Sequence, residues 1–497
     1  MTKVSSESIM ISHYKNNQGV PMKHISQHTT ETKNSQTGTQ NPLSNKALLV
    51  AIMTLAWPTM LEQLLHTAVQ YIDTAMVGSL GTDATAAVGA TTTVNWLIGS
   101  TISAVAVGFL AFIAQAHGAG ELGKIKRAAA QAVLAVLFCG ILFTVLTLSL
   151  SPVIPAWMQV DDSIRPMASK YFFILYAPML FRTASIIFGT VLRAVGDTKT
   201  PMRVGVWVNI TNVVLNFLLI FPTRAVTIFS LELVIPGAGL GVIGAGIASA
   251  IAFFIGGVII TIAVCRHPLL SPKGESLRPD WNILRPCLKV ALPNALQRFG
   301  TSLGYVAFAA MINSLGEIST AAHTIANTVE SAFYIPGYGM QAAAATLTGN
   351  ALGAGDHKRM RHTAKLLLTI EVALMILSGG LLFLLAPNMV RIFSKDTEVI
   401  LLGATVLRMV AVSEPFYGIS IIIEGMLQGM GKTMFPFVCN IAGMWAIRIV
   451  GTFLCTQLLG YGLASAWGCM ILHNLMLCGM FSFYYLSGKW RRTSLNT

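Results

Sequence analysis

Long apolar stretches recur along this chain, and they constrain its fold more than any other feature. An α-helix needs about 20 mainly apolar residues to cross the hydrocarbon core of a bilayer. Twelve such stretches are present, at approximately 47–76, 85–115, 128–151, 168–192, 202–221, 240–265, 287–313, 320–350, 363–386, 399–427, 434–457 and 462–486. Because 54% of the 497 residues are hydrophobic and 11% are charged, lipid is the main solvent. The sequence predicts an all-α polytopic membrane protein with twelve transmembrane helices.

The distribution of basic residues predicts the orientation of these helices. The formal net charge is +13, which in a soluble chain would suggest nucleic acid as a partner. With both termini in the cytoplasm, however, the inner segments hold 24 of the 33 Lys and Arg residues and the outer loops hold five. This is the positive-inside pattern. We therefore expect an integral protein of the bacterial inner (plasma) membrane, with both termini cytoplasmic, the lipid bilayer as a partner and no nucleic acid.

The chain also contains an internal repeat. A shift of 235 residues places 56–58 (Ala-Trp-Pro) on 291–293 (Ala-Leu-Pro) and 118–121 (Gly-Ala-Gly-Glu) on 353–356 (Gly-Ala-Gly-Asp). Towards the end of each half the offset falls to 216, which leaves a 19-residue insertion in an outer loop around residues 224–236. Each half has six helices, so both enter the membrane in the same sense. The repeat predicts two homologous six-helix bundles, related by a pseudo-two-fold axis along the membrane normal, with a central cavity between them.

These patterns predict the domain organisation. We expect a disordered cytoplasmic tail at 1–45, an N-terminal six-helix lobe at 46–270, a cytoplasmic linker at 271–285, a C-terminal six-helix lobe at 286–488 and a basic cytoplasmic tail at 489–497.

Polar residues inside the apolar stretches are candidates for a transport pathway. A charged side chain at the centre of a transmembrane helix costs about 2.5–3.5 kcal/mol on insertion scales, so these groups should face protein or water. At 100° per residue, the polar residues of the first and eighth stretches each fall on one face. Interhelical hydrogen bonds and ion pairs, such as Arg298 with Glu330 or Glu414, are the alternative explanation. As substrate-cavity candidates we take Glu62, His66, Gln70, Arg298, Tyr305, His323, Asn327, Glu330, Tyr334, Glu414 and Tyr417.

Several short motifs resemble a known transporter family. They are 55–58 (Leu-Ala-Trp-Pro) followed by 72–78 (Ile-Asp-Thr-Ala-Met-Val-Gly), the two Gly-Ala-Gly-acid loops, and 192–199 (Leu-Arg-Ala-Val-Gly-Asp-Thr-Lys). Their order, spacing and duplication resemble the multidrug and toxic compound extrusion (MATE) family over about 47–486. The resemblance implies alternating access between two lobes, and export of varied, often cationic and aromatic, compounds in exchange for H⁺ or Na⁺.

The resemblance also implies a coupling-cation site in the N-terminal lobe, at Asp73, Asn212, Asn216 and Ser249. Asn216 stands where many members of the family carry Asp. Hard cations such as Na⁺ prefer several anionic oxygens, and one carboxylate is left here. We therefore expect H⁺ coupling with Asp73 as the proton carrier, and less readily Na⁺ coupling. Glu330 or Glu414 would contact substrate or tune the cavity.

Other classes of function are less well supported. A flippase for lipid-linked saccharide precursors shares this architecture, but it would need a strongly cationic cavity, whereas the acids inside the stretches outnumber the arginines by six to four. We find no nucleophile with a base, no nucleotide loop and no metal-ligand spacing, the seven cysteines included. We expect no enzymatic activity, no cofactor and no bound metal beyond the coupling ion. The partners we expect are small-molecule substrates, and the chain is expected to be a monomer.

Overall fold

The computed structural model describes residues 45–158, 160–228, 231–488 and 490. The proposed N-terminal tail lies outside the described residues except for Asn45, and the proposed C-terminal tail except for Trp490. The described part contains twelve successive helical segments: α1 Asn45–Gly78, α2 Thr82–Gly118, α3 Leu122–Leu150, α4 Arg165–Tyr176 with Met179–Ala194, α5 Lys199–Leu219, α6 Gly241–Arg266, α7 Trp281–Asn313, α8 Glu317–Gly353, α9 His357–Phe393, α10 Thr397–Gly429, α11 Met434–Leu458 and α12 Leu463–Leu486. A one-turn helix, Ile154–Trp157, precedes α4.

The helices have the length and composition of membrane spans. In the described ranges, nine of them are long and apolar enough to cross a bilayer, and the two halves of α4 together make a tenth. The remaining two, α7 and α8, are 33 and 37 residues long but carry more polar side chains. The prediction of a twelve-helix, all-α membrane fold is confirmed. We call α1 to α6 the N-lobe and α7 to α12 the C-lobe.

Two of the twelve helices are irregular. The sequence indicated one continuous stretch at 168–192, but α4 bends by 48° between Tyr176 and Met179. Pro178 lies at this break; its ring nitrogen has no hydrogen to donate to the helical ladder. In α11, two segments widen into π-helix, at Gly443–Ile449 and Leu454–Leu458. Such bulges re-aim side chains and are frequent at functional sites.

The 19-residue insertion forms a β-hairpin that the sequence analysis did not predict. Strands β1 (Pro222–Ile228) and β2 (Leu231–Ala238) pair antiparallel between α5 and α6. Their register joins Ile228 with Leu231 at the turn. The hairpin is a local addition to the helical fold, in the loop that we place outside the membrane.

The two lobes cross closely where α2 and α8 end. A Cβ atom on Gly118 would lie 1.9 Å from the carbonyl oxygen of Asn350, and one on Gly353 would lie 1.9 Å from that of Gln115. These two contacts are related by the 235-residue offset of the repeat, so the pseudo-two-fold axis passes between them. Gln115 Nε2 also donates to the carbonyl of Gly429 in α10, at 3.1 Å. Glycine is required here because any side chain would separate the two backbones.

The hydrophobic cores also join the lobes. The beginning of α1, including Leu48 and Ile52, packs in a cluster with Met340 of α8. In the same way, Ile283 and Cys287 of α7 pack in the core of the N-lobe. The first helix of each lobe therefore starts against the opposite lobe, which leaves its later turns to face the space between the two bundles.

Candidate functional site

The four residues expected to hold the coupling cation are brought together in the N-lobe. Asn212 and Asn216 lie one helical turn apart on α5, so both amides project from the same face. Asn216 Nδ2 donates to Asp73 Oδ1 of α1 at 2.5 Å. Ser249 of α6 lies 3.0 Å from the Asn212 amide. Asp73 is half-buried, while both asparagines are buried.

The Asn212 amide can take two orientations: in the first its oxygen accepts from Asn216 Nδ2 at 3.1 Å, and in the second its nitrogen donates to Asp73. With the nitrogen turned towards α1, it donates to Asp73 Oδ1 at 2.8 Å and Oδ2 at 3.2 Å, and its oxygen accepts from Ser249 Oγ at 3.0 Å. Both carboxylate oxygens of Asp73 then accept hydrogen bonds from neutral amides.

The N-lobe cluster contains a single acid. Among the described residues, no basic group lies within 4.0 Å of the Asp73 carboxylate, and no group of three or more His, Cys, Asp or Glu side chains is placed to hold a metal ion. Asn216 Oδ1 is buried without a hydrogen-bond donor, so it is free to accept one more hydrogen bond. A carboxylate surrounded by neutral groups can gain or lose a proton without breaking an ion pair.

The other predicted residues of α1 do not line the larger cavity described below. Glu62 accepts from Arg193 Nη2 of α4 through both carboxylate oxygens, at 2.7 and 2.8 Å. His66 and Gln70 are exposed further along the same helix. The sequence grouped these three with the C-lobe residues because they share a polar stripe. The structure places them on the N-lobe side, with Glu62 committed to a salt bridge.

A cavity of about 780 Å³ lies mainly within the C-lobe. It is lined by α7, α8, α10, α11 and α12, and Trp96 and Leu97 of α2 reach it from the N-lobe. Seven predicted candidates are among its lining residues: Arg298, Tyr305, His323, Asn327, Glu330, Tyr334 and Tyr417.

Tyrosines form one wall of this C-lobe cavity. The hydroxyls of Tyr338 and Tyr417 are 3.0 Å apart. The ring of Tyr334 lies edge-on to both, with centroid distances of 5.6 and 6.0 Å. The sequence analysis missed Tyr338, although its spacing of four residues from Tyr334 on α8 would have indicated the same face. Aromatic rings and hydroxyls together suit flat, partly polar ligands.

Three carboxylates from adjacent helices approach one another beside this wall. Glu330 of α8 lines the cavity, whereas Glu371 of α9 and Glu414 of α10 are 0% and 1% exposed and are not among the lining residues. Glu414 interacts electrostatically with both of the others. Gly337 leaves room for the Glu371 carboxylate, because a Cβ at that position would lie 2.7 Å from Glu371 Oε1. Both carboxylate oxygens of Glu371 lack a hydrogen-bond partner, and a buried carboxylate of that kind is costly unless it is protonated.

The suggested pairing of Arg298 with Glu330 or Glu414 is wrong. In the described ranges, no carboxylate oxygen lies within 4.0 Å of Arg298. Its electrostatic partner is Glu424, whose Oε1 accepts from Gln297 Nε2 at 2.8 Å and from Gln428 Nε2 at 3.2 Å. Spacing along one helix cannot show which residue of another helix lies opposite, and that is why the pairing failed.

Arg448 was not selected as a site residue, yet it lines the cavity. It projects from the first π-helical segment of α11 and is 4% exposed. Its guanidinium lies over the rings of Tyr305 and Phe308, 4.8 and 4.2 Å from their centroids. Its position inside an apolar stretch is the sequence feature that could have identified it as a site residue.

The sequence matches a family model in two places. The MatE family model matches residues 58–218 and 293–454, more than half of the chain. The two segments begin 235 residues apart, which is the offset of the internal repeat. The chain is 26% identical over 446 residues to a probable multidrug resistance protein NorM of Thermotoga maritima, covering 90% of this chain and 94% of that protein. It is 25% identical over 452 residues to a probable multidrug resistance protein YpnP of Bacillus subtilis, covering 90% and 97%.

Solved structures share the fold. The outward-facing conformation of a multidrug resistance MATE family transporter of the MOP superfamily superposes with a TM-score of 0.81 at 20% identity, over 89% of this chain and 96% of that one. A MOP superfamily transporter from Pyrococcus furiosus gives 0.80 at 21% identity, over 89% and 96%. At these identities the likeness concerns the arrangement of helices in two repeated halves.

Proposed function

Since this chain belongs to the MatE family, we propose that it is a secondary active antiporter of the bacterial inner membrane that exports varied small molecules in exchange for H⁺ by alternating access. The names of its relatives, probable multidrug resistance proteins, support export of several compounds. The two repeated lobes and the polar cavity support alternating access. Cationic and aromatic compounds are the expected substrates.

The observation that carries H⁺ coupling is the environment of Asp73. Its carboxylate accepts hydrogen bonds from Asn216 and, in the orientation described, from Asn212. Within the described part of the chain no salt bridge fixes its charge, so a proton can bind on one side of the membrane and leave on the other. Since a Na⁺ site favours several anionic oxygens, the single carboxylate favours H⁺ over Na⁺.

The C-lobe carboxylates act on the substrate in this proposal. Glu330 lines the cavity and is placed to contact substrate. Glu414 lies behind it, next to Glu371, and acts on the cavity through its charge state. A change in protonation in this group alters the charge that a bound substrate meets.

The driving force is sufficient for export. One charge moved across the membrane yields about 2.3 kcal/mol per 100 mV. Tenfold accumulation of a neutral solute costs about 1.4 kcal/mol.

Proteoliposomes with separately imposed pH and Na⁺ gradients test the coupling. We expect the parent protein to drive dye efflux with the pH gradient and not with the Na⁺ gradient. Asp73→Asn removes the proton-binding oxygen while leaving an amide of the same shape, so pH-driven efflux should fall at least tenfold. Asp161→Asn is the matched control, because that carboxylate is exposed and bonds only to nearby Ser163 in the described structure. Full pH-driven efflux by Asp73→Asn would refute the coupling role.

The flippase alternative receives less support. A flippase for lipid-linked saccharide precursors would need a strongly cationic cavity. The C-lobe cavity instead combines Arg298 and Arg448 with Glu330 and Glu424. Ethidium resistance in a pump-deleted host supports efflux, whereas rescue of a cell-wall precursor defect would favour flipping.

A further inference from the structure

Three basic side chains at one end of the C-lobe cavity lack the partners that buried basic groups usually have. They are Arg448 of α11, His473 of α12 and His323 of α8, and all three line the cavity. We call them the basic cluster. In the part of the chain that the structure describes, four of their nitrogens are buried without a hydrogen-bond partner: Arg448 Nε, His323 Nδ1 and both ring nitrogens of His473. Among the described residues, no carboxylate oxygen lies within 4.0 Å of Arg448.

The basic cluster is held in place by packing. The guanidinium of Arg448 is stacked over Tyr305 and Phe308. The ring of His323 lies edge-on to Phe308 and to Trp467, with centroid distances of 5.7 and 5.8 Å. Gly443, in the same π-helical segment as Arg448, leaves the space that His473 fills: a Cβ there would lie 2.5 Å from His473 Cδ2. Since aromatic faces and backbone fix these groups, they keep their positions when no ligand is bound.

A buried arginine in this setting needs an anionic partner. A guanidinium that is 4% exposed has lost most of its water, and cation–π contacts recover only part of that free energy. Glu330 acts on it electrostatically but forms no salt bridge with it among the described residues. Both side chains line the cavity. A carboxylate that enters it would receive two parallel N–H donors from the guanidinium, the geometry that gives arginine its strongest bonds.

We propose that the basic cluster is the binding site for the carboxylate of an exported aromatic compound. The tyrosine wall of Tyr334, Tyr338 and Tyr417 faces the aromatic part of the ligand. Glu330 is placed to accept from an amine on the same molecule, so aromatic zwitterions are favoured over simple cations. This inference rests on the proposed export function and narrows its substrate class beyond the cationic compounds expected from the sequence.

Equilibrium binding with a matched ligand pair tests the proposal. The two probes are a rhodamine with a free benzoate carboxylate and its methyl ester, in which a methyl group replaces the negative charge. Binding is followed by fluorescence anisotropy on the purified full chain in nanodiscs. Because hydrogen bonds to charged groups contribute more than neutral ones, the parent protein should bind the acid at least about tenfold more tightly than the ester.

Variants of two arginines in the same lobe distinguish binding at Arg448 from a general effect of removing a positive charge. Arg448→Gln should bind both probes equally, through loss of affinity for the acid. Arg448→Lys keeps the charge but not the two parallel donors, and should retain part of the preference. Arg408→Gln is the control, because Arg408 is exposed on α10, over the Phe383 ring and away from the cavity; it should keep the full preference.

The possible outcomes either support the proposal or overturn it. Failure of the parent to bind the acid, equal affinity of the parent for the two probes, or an unchanged preference in Arg448→Gln would each overturn it. Should Arg448→Gln fail to fold, Arg448→Lys takes its place. A preference of Arg448→Lys for the acid as large as that of Arg408→Gln would then overturn the proposal. Binding is measured without a gradient, so it does not depend on coupling. Failure of H⁺ coupling in the Asp73→Asn experiment therefore leaves this test unaffected.

Discussion

Asp73 and Glu62 lie on the same helix, yet their carboxylates have different partners. Glu62 binds a guanidinium through both oxygens, whereas Asp73 accepts from neutral amides. A carboxylate in a salt bridge has its charge fixed by the partner, so proton exchange there would break the bridge. At the scale of single residues, this difference separates a structural acid from a candidate proton carrier.

The Glu62 salt bridge should contribute to stability. Its two side chains are only 20% and 24% exposed, and Thr346 of the C-lobe donates to the Arg193 carbonyl at 3.1 Å. Glu62→Gln leaves the Arg193 charge without a partner, and we expect a loss of about 1–3 kcal/mol. Thermal unfolding of the purified protein measures this loss of stability.

A second pair provides the control for this stability prediction. Glu121 and Lys124 form an exposed pair at 2.8 Å, and exposed pairs of this kind contribute about 0–1 kcal/mol. Glu121→Gln should therefore lower the melting temperature less than Glu62→Gln. Equal shifts in the two variants would contradict the structural role of the Glu62 bridge.

At the scale of helices, the crossing of α2 and α8 is the closest contact between the lobes described above. The distance of 1.9 Å from a Cβ on Gly118 to the Asn350 carbonyl oxygen is more than 1 Å shorter than an ordinary van der Waals contact. Backbone atoms cannot move aside as a flexible side chain can. A residue larger than glycine must separate the two helices.

Alanine substitutions at this crossing should therefore weaken the closed state at this end of the molecule. We expect Gly118→Ala and Gly353→Ala to shift a spin-label distance distribution across the lobes towards longer values. The labels replace Lys126 and Arg361, which are related by the repeat offset, in a background without native cysteines. Gly123→Ala is the control, because a Cβ there meets nothing within 4 Å. Unchanged distributions in both crossing variants would show that this contact does not hold the lobes together.

The helices could be predicted from sequence more fully than their irregularities. Twenty-residue apolar stretches identify membrane helices because lipid leaves the backbone no other partner. The bend of α4 at Pro178 and the π-helical segments of α11 depend on local backbone geometry that hydropathy does not record. The hairpin was not predicted, because its strands are too short to register as membrane spans, although Val and Ile around residues 226–235 are typical of strands.

The site was predicted in part. The N-lobe cluster was expected from the family resemblance, and the structure places its four residues in one hydrogen-bonded group. Arg448 and Tyr338 were missed, because a single sequence shows which residues are polar and on which face of a helix they lie. It does not show which faces of different helices meet. The lobes meet through residues more than 230 positions apart in sequence, such as Gly118 with Asn350, and only the fold brings these together.

At the scale of the whole molecule, the proposed proton site and the proposed substrate site lie in different lobes. Asp73 lies in the N-lobe, while the 780 Å³ cavity lies mainly in the C-lobe. The two sites must therefore communicate through the relative position of the lobes. A substrate and a proton that favour different positions will oppose each other's binding, and this coupling is reciprocal.

Substrate-induced proton release measures whether Asp73 supplies the exchanged proton. The purified protein is equilibrated in weak buffer near neutral pH with a pH indicator, and an aromatic substrate is added at saturating concentration. We predict that the parent protein releases protons on binding, and that Asp73→Asn binds the substrate without this release. Equal proton release by Asp73→Asn and the parent would contradict the account, since the exchanged proton would then come from another group.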